Sequence, residues 1–334
     1  MVNINFLRNV IGEYMTTLGE KNNKVVIVNA DLASTCRNKT FIERFPERSF
    51  NVGIAEQNMI SFAAGLAYEG FLPYAFSMAP FITMRACEQV RTDVAYGNRN
   101  VKMIGVYAGV SGGISGATHW AIEDVGIMTA IPGIAVFEVS DANQARQLLD
   151  FSLCYDKPMY IRCGVEPTED IYNEDVEIRL GGSHTVAAGD DGAILCSGVI
   201  VQYAIKAAQR IKRETGNSIR VVDMYSIKPI DRKTVISAAK TGNVLVAQDH
   251  NIFGGLGSII SQVIAEEGIS TKVKILGIPD KFVPMAHAPY LYNQFRLDTN
   301  GLAGIMAEIL NNATPPQLSI NRKLQSASEM RWAA

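Results

Sequence analysis

Asn51-Val52-Gly53-Ile54-Ala55-Glu56-Gln57-Asn58-Met59 places a carboxylate where an α/β protein can do chemistry. A short strand around 49–52 turns through Gly53, and the pattern predicts a helix over 56–69. Glu56 then stands at a helix N-terminus and at the carboxyl end of a strand, where open α/β sheets keep their ligands. The helix dipole favours a negative charge there by about 0.3–1 kcal/mol. The same placement suits a carboxylate that only decorates the first helical turn, as acidic residues commonly do. A second run, Pro80-Phe81-Ile82-Thr83-Met84-Arg85-Ala86-Cys87-Glu88-Gln89-Val90, puts Phe81, Met84 and Cys87 on one helical face. A third, Gly116-Ala117-Thr118-His119-Trp120-Ala121-Ile122-Glu123-Asp124, follows a glycine-rich approach. A loop of that kind brings a side chain to a site, and histidine moves protons near neutral pH. His184, His250 and His287 lie in less suggestive surroundings and read as structural.

These residues need a scaffold, and the hydrophobic pattern describes one. Short apolar runs at 25–29, 72–76, 102–107, 134–139 and 159–162 read as buried strands. Amphipathic stretches at 56–69, 84–96, 122–130 and 142–154 read as the helices between them. Such alternation argues for a parallel sheet covered on both faces. The pattern stops over 164–182, which is acidic and without period. It resumes with strands at 193–197, 219–224, 243–248 and 272–276 and helices at 199–213, 231–240 and 257–267. The expectation is α/β throughout, with two parallel or mixed-sheet domains: 1–165, a linker at 166–184, and 185–334.

Composition narrows the function classes. Of 334 residues, 48% are hydrophobic and 19% charged, enough apolar side chain for real cores. Lys and Arg number 31 against 33 Asp and Glu, so no basic excess exists for a nucleic-acid backbone. No apolar run approaches the roughly 18 residues of a membrane span. The first ten residues lack the apolar core of a signal peptide. Cys36, Cys87, Cys154, Cys163 and Cys196 are scattered and odd in number, typical of reduced thiols in a cytoplasmic protein and not of a disulfide frame or zinc site. No metal ligands are expected in the chain.

Phosphate motifs are absent or misplaced. No GxxxxGK[ST] occurs, and the glycines of 109–116 are not at dinucleotide-binding spacing. Gly254-Gly255-Leu256-Gly257 could present amides to an anion, but reads better as a tight turn with close helix packing. Gly189-Asp190-Asp191-Gly192 followed by Asn217 mimics the GDG…N metal motif of thiamine diphosphate enzymes. It precedes a strand, whereas a metal-binding Asp should follow one, so it reads as a turn.

The three segments above, with Asp31 at the end of the first strand, resemble the pyrimidine-binding domain of transketolases over nearly all of 1–165. The AEQNM segment is similar to several thiamine enzymes, and GATHxAIED is more particular to transketolases. Residues 185–334, with Asp249-His250-Asn251 and the 254–257 glycines, resemble the transketolase C-terminal domain. No counterpart of the diphosphate-binding domain is present, so the chain looks like the C-terminal subunit of a split transketolase.

That resemblance implies a thiamine-diphosphate-dependent transfer of a two-carbon ketol unit between sugar phosphates or other anionic sugars. An N-terminal partner subunit would hold the diphosphate and Mg²⁺, in a heterotetramer. Glu56 matches the carboxylate that hydrogen-bonds the pyrimidine ring nitrogen and so assists loss of the thiazolium proton. Phe81 matches the ring that packs on the pyrimidine, with Ile54 and Met84 beside it; a plain core Phe is the competing reading. His119 matches a residue that contacts substrate hydroxyls and shuttles protons. Arg8, Asp31, Thr35 and Arg162 match positions lining the substrate channel, the two arginines holding the sugar phosphate through their guanidinium forks. Three positions depart from the family pattern. Tyr107 stands where a His is usual, Ser115 where an Asp is usual, and Cys87 where an aromatic is frequent. Tyr107 and Ser115 touch substrate by resemblance, which leaves the sugar open and admits a sulfosugar. The alternatives are a deoxyxylulose-phosphate-synthase-like enzyme, a 2-oxoacid decarboxylase beta subunit, and a non-catalytic subunit that has kept the fold.

Overall fold

The computed structural model describes residues 4–311. The end of the expected second domain, 312–334, lies outside the described residues. Seven strands come from the first half of the chain: β1 Ile4–Phe6, β2 Val25–Asn29, β3 Ser49–Asn51, β4 Leu72–Met78, β5 Lys102–Val106, β6 Ala135–Glu138 and β7 Met159–Cys163. Seven more follow: β8 Pro167–Glu169, β9 His184–Ala187, β10 Gly192–Cys196, β11 Ile219–Asp223, β12 Ser226–Lys228, β13 Asn243–Asn251 and β14 Lys272–Ile278.

The first sheet has the order β12-β6-β7-β5-β4-β2-β3, parallel throughout except for β12. The Val-Val-Ile-Val-Asn run of β2 is buried along its whole length, as a strand covered on both faces must be. Each Val or Ile so placed stabilises the fold by about 1.5–3 kcal/mol. From β2 the chain runs outward to β3, then returns past β2 to β4 and continues outward to β5 on the other side. The reversal opens a crevice between the carboxyl ends of β2 and β4, the position where such sheets bind ligands. The second sheet has the order β14-β13-β10-β11-β9, with β9 antiparallel. Both sheets are of the expected α/β kind.

Two features cross the expected boundaries. β8, inside the segment read as a linker, pairs antiparallel with β1. β12, inside the second region, leaves that region's sheet and pairs antiparallel with β6 at the edge of the first. The helix Leu7–Lys21 was not in the sequence reading, although Leu7, Ile11, Met15 and Leu18 recur at helical spacing and are buried along one face.

Candidate active site

Glu56 begins the helix Glu56–Tyr68, and its side chain is only 1% exposed. Ala55 caps that helix without a side-chain hydrogen bond, so the carboxylate is free to look away from it. Arg85 Nη1 donates to Glu56 Oε2 at 2.7 Å, and Ser77, on β4, lies 3.4 Å from Oε1. The Arg85 guanidinium also stands over the Phe81 ring, 4.3 Å from its centroid. Phe81 meets His119 edge to face at 5.5 Å. The five side chains therefore form a continuous row: Ser77–Glu56–Arg85–Phe81–His119.

The backbone explains the row. Phe81–Arg85 winds as a π-turn directly after β4, followed by the short helix Cys87–Gln89 and a second π-helical stretch, Val90–Tyr96. A π-turn carries one more residue per turn than an α-helix and is common at functional sites. It begins at Phe81, earlier than the 84–96 helix read from the sequence. Arg85 was overlooked as a site residue. Its position four residues after Phe81 was the available signal, since residues so spaced are neighbours on a helix surface.

His119 belongs to a closed loop. Gly109 and Ala121 exchange backbone hydrogen bonds, N–H of Gly109 to O of Ala121 at 2.9 Å and the reverse at 3.0 Å. The Trp120 indole N–H donates to Gly113 O at 3.0 Å, and Thr118 Oγ1 shares a hydrogen with His119 Nδ1 at 2.8 Å. Ser115 is exposed on this loop. Tyr107 directly follows β5 with a left-handed backbone, φ +63°, and Asp31 follows β2 with φ +59°. Non-glycine residues held there cost energy and cluster at functional sites. Arg8 Nη1 donates to the Tyr107 hydroxyl at 2.9 Å, while Arg8 Nε is buried with no hydrogen-bond partner among the described residues. Asp31 is exposed and bonded to Asn51, and Thr35 is half-buried. Ile54 and Met84 are exposed at 77% and 44%. Asp31, Glu56, Phe81 and Tyr107 thus all follow the carboxyl ends of four adjacent strands, β2, β3, β4 and β5.

Arg162 does not join them. It lies within β7 with no exposed surface, donating from Nε to Asp124 Oδ2 at 2.8 Å and from Nη1 to Glu138 Oε1 at 2.7 Å. Burial opposes its charge, but Asp124 and Glu138 hold it protonated and raise its pKa. A guanidinium sealed by two carboxylates cannot take a sugar phosphate, which corrects the role read from the sequence. Nη2 bonds Asp249 O at 3.1 Å, and Glu138 Oε2 accepts from Ser197 at 2.6 Å and Gln248 at 2.9 Å. Arg162 is thus the hub that fastens the second region to the first. No periodicity reveals a buried ion pair, and this one stayed invisible in the sequence.

His250 is buried and neutral-leaning, its pKa lowered by desolvation; Nδ1 bonds Asn251 O and Nε2 accepts from Gly126 N–H at 3.4 Å. A Cβ at Gly255 would stand 2.6 Å from that ring and one at Gly257 2.5 Å from Ile275, so the 254–257 glycines serve close packing. The five cysteines are free. Among the described residues no group of three or more His, Cys, Asp or Glu side chains is placed to hold a metal ion, and no helix is long and apolar enough to cross a membrane.

The transketolase pyrimidine-binding domain matches residues 6–166, and the transketolase C-terminal domain matches residues 181–302. The chain is 37% identical to a putative transketolase C-terminal section of Methanocaldococcus jannaschii, over 89% of this chain and 94% of that one. It is 34% identical to a 6-deoxy-6-sulfo-D-fructose transketolase subunit of a Clostridium species, over 91% and 94%. A 1-deoxy-D-xylulose-5-phosphate synthase of Geobacter sulfurreducens is 33% identical, but this chain spans only 49% of it. The solved structure of a split-gene transketolase, described as an inactive β4 tetramer, superposes with a TM-score of 0.82 at 33% identity, covering 91% of this chain and 98% of that one. The chain therefore belongs to the transketolase family, carrying its pyrimidine-binding and C-terminal domains.

Proposed function

We propose that the chain is the C-terminal subunit of a two-chain, thiamine-diphosphate-dependent transketolase and supplies the pyrimidine wall of a shared site. The observation that carries this reading is the buried Glu56 carboxylate beside the half-buried Phe81 ring at the crevice of the first sheet. Bound thiamine diphosphate would supply an acidic thiazolium carbon able, once deprotonated, to attack a ketose carbonyl. The residues present fit its pyrimidine half. Glu56 would hold a proton at the ring nitrogen from its buried place at the start of the helix. Phe81 would offer its face, with Ile54 and Met84 beside it. Arg85 now covers both Glu56 and Phe81 and would have to share them. His119 would donate to a sugar oxygen, near Ser115 and Tyr107. Arg8, with its unpartnered Nε, would take an anionic oxygen of a phosphate or sulfonate, and Asp31 and Thr35 would face sugar hydroxyls. The diphosphate and Mg²⁺ fall to an N-terminal partner.

Exposed apolar side chains support the partnership. Ile54, Met84, Ile114 and Met285 ring the crevice side of the molecule at 44–77% exposure, and such surfaces rarely stay uncovered. Two chains with two partners in a closed heterotetramer would cover them. The test is reconstitution with a diphosphate-domain subunit. The mixture should transfer ketol units from ketose phosphates or a 6-deoxy-6-sulfoketose, while the chain alone binds thiamine diphosphate weakly by isothermal titration. Tight binding without a partner would sink the shared-site reading. Consumption of pyruvate with release of carbon dioxide would favour synthase-type chemistry instead.

A further inference from the structure

We propose that Asp249, a residue of the second sheet, is a positioning residue for this site: its carboxylate clamps the root of the Gly109–Ala121 loop and so sets where His119 stands. The proposal rests on the reading that His119 faces substrate.

Asp249 is 3% exposed, near the carboxyl end of β13. Oδ1 accepts the Val110 backbone N–H at 2.9 Å, and Oδ2 accepts the Tyr292 hydroxyl at 2.8 Å. The carboxylate thus joins the loop to the helix Ala288–Gln294 of the second region. Gly109 has φ +63°, and a Cβ on it would stand 2.0 Å from the Asp249 carboxyl carbon. The loop root therefore lies directly on the carboxylate, with no space for a side chain between them. The same region touches the loop again at its far side, where a Cβ on Gly113 would come 3.2 Å from Ala286 O. Between these two holds runs the segment with Ser115 and His119. Its own internal bonds, Gly109 with Ala121 and Trp120 with Gly113, make it a unit that moves as one body when its root moves. A misplacement of about 1 Å in a reacting group costs on the order of 10²-fold in rate, so a clamp at the root acts on chemistry that it never touches. The second region, whose described residues contribute no side chain to the Glu56–His119 row, acquires a defined role.

Trp120 makes the loop observable. The chain has two tryptophans, Trp120 and Trp332, so a Trp332→Phe background leaves one reporter. In that background Asp249→Ala, Asp249→Asn and Tyr292→Phe are compared in the full chain reconstituted with its diphosphate-domain partner. Asn keeps an acceptor for Val110 N–H and should stay close to the background. Asp249→Ala should open Trp120 to acrylamide quenching and raise KM for the acceptor sugar about tenfold, in line with the cost of leaving the buried Val110 N–H unpaired. Cofactor affinity should be unchanged. Tyr292→Phe removes one of the two bonds on the carboxylate and should shift both readouts the same way by less. If Asp249→Ala does not fold, Tyr292→Phe decides. Unchanged quenching in the folded variants overturns the clamp. Increased quenching with unchanged KM for both sugars leaves the clamp standing and overturns the role of His119, and with it the link to substrate.

Discussion

The two sheets present the same kind of carboxyl edge with opposite contents. At the first, Asp31, Ile54 and Ser115 are exposed, and among the described residues the Glu56 carboxylate is reached only by Ser77 and a half-exposed Arg85. At the second, Ser197, Asp223, Gln248 and Asp249 are all buried, each bonded into the first region. The rule that places ligands at strand ends identifies both edges equally. What separates them is whether another part of the chain has already filled the crevice. An open edge keeps strained backbone and unsatisfied donors, such as Arg8 Nε, for something yet to arrive. A filled edge spends the same polar residues on holding the molecule together.

The largest expected effect lies at the open edge. Glu56→Gln keeps the side-chain shape but cannot share the ring-nitrogen proton. In the reconstituted complex turnover should fall about 10²–10⁴-fold, with an unaltered circular dichroism spectrum. Activity within a few-fold of the parent would reduce Glu56 to a helix-opening carboxylate with Arg85 as its counter-ion.

The open edge was the legible one. Glu56, Phe81 and His119 sit in local segments whose strand-turn-helix pattern can be read residue by residue, and the structure brings them into one row. Most strands and several helices were likewise written in apolar periodicity. The filled edge was not legible, because its bonds join residues far apart in sequence. Nothing local distinguishes Arg162 in a Met-Tyr-Ile-Arg-Cys strand from a ligand-binding arginine at a strand end. Only the approach of Asp124, Glu138 and Asp249 decides it. β12 escaped for a related reason: three residues carry no usable period, and their partner β6 lies some ninety residues earlier in the chain.

Arg162→Met sharpens this contrast. Removing the cation leaves Asp124 and Glu138 buried without compensation, and breaking such a pair costs about 3–5 kcal/mol. Urea unfolding should show that loss. A variant of parental stability with weakened phosphate affinity would return Arg162 to the substrate channel and erase the distinction between the edges.

A smaller effect should follow pH. Burial raises Asp223 from its ordinary value to about 7, against hydrogen bonds from Ser140, Gln144 and Tyr172 that all converge on Oδ2. Oδ1 has no partner. The folded state then binds a proton that the unfolded state has released, over the window from about 4 to about 7. More protons on the folded side means that stability contributed by this group is present below that window and falls as pH rises through it. Asp249, raised to about 7 chiefly by burial, adds in the same direction. Asp223→Asn should flatten the decline between pH 4 and 7 in urea titrations at stepped pH. An unchanged slope would mean that Asp223 is ionised in the fold, held by Ser140, Gln144 and Tyr172 alone.

The smallest effect is expected where a motif looks most catalytic. Gly189-Asp190-Asp191-Gly192 with Asn217 carries the letters of a diphosphate-metal site, yet its two aspartates precede β10. Asp190 is 94% exposed, at 3.1 Å from Arg220, and Asp191 bonds the Ser218 backbone N–H and hydroxyl at 2.6 and 3.0 Å. That geometry ties one turn to the next at the amino end of the strand, opposite the crevice. An exposed ion pair of this kind contributes little, and a carboxylate already bonded to Ser218 is committed to its turn. Asp190→Ala should therefore leave the unfolding midpoint and the Mg²⁺ dependence of the reconstituted enzyme as they were. A raised Mg²⁺ requirement would show metal held by this chain at the end of the second sheet that faces away from the crevice, and the partner would no longer be needed to supply it. The contrast with Glu56 is instructive because both are acidic residues in glycine-containing turns next to a short strand. Glu56 follows its strand and is buried over a crevice, whereas Asp190 precedes its strand and faces water, so the direction of the chain decides which carboxylate can reach a ligand.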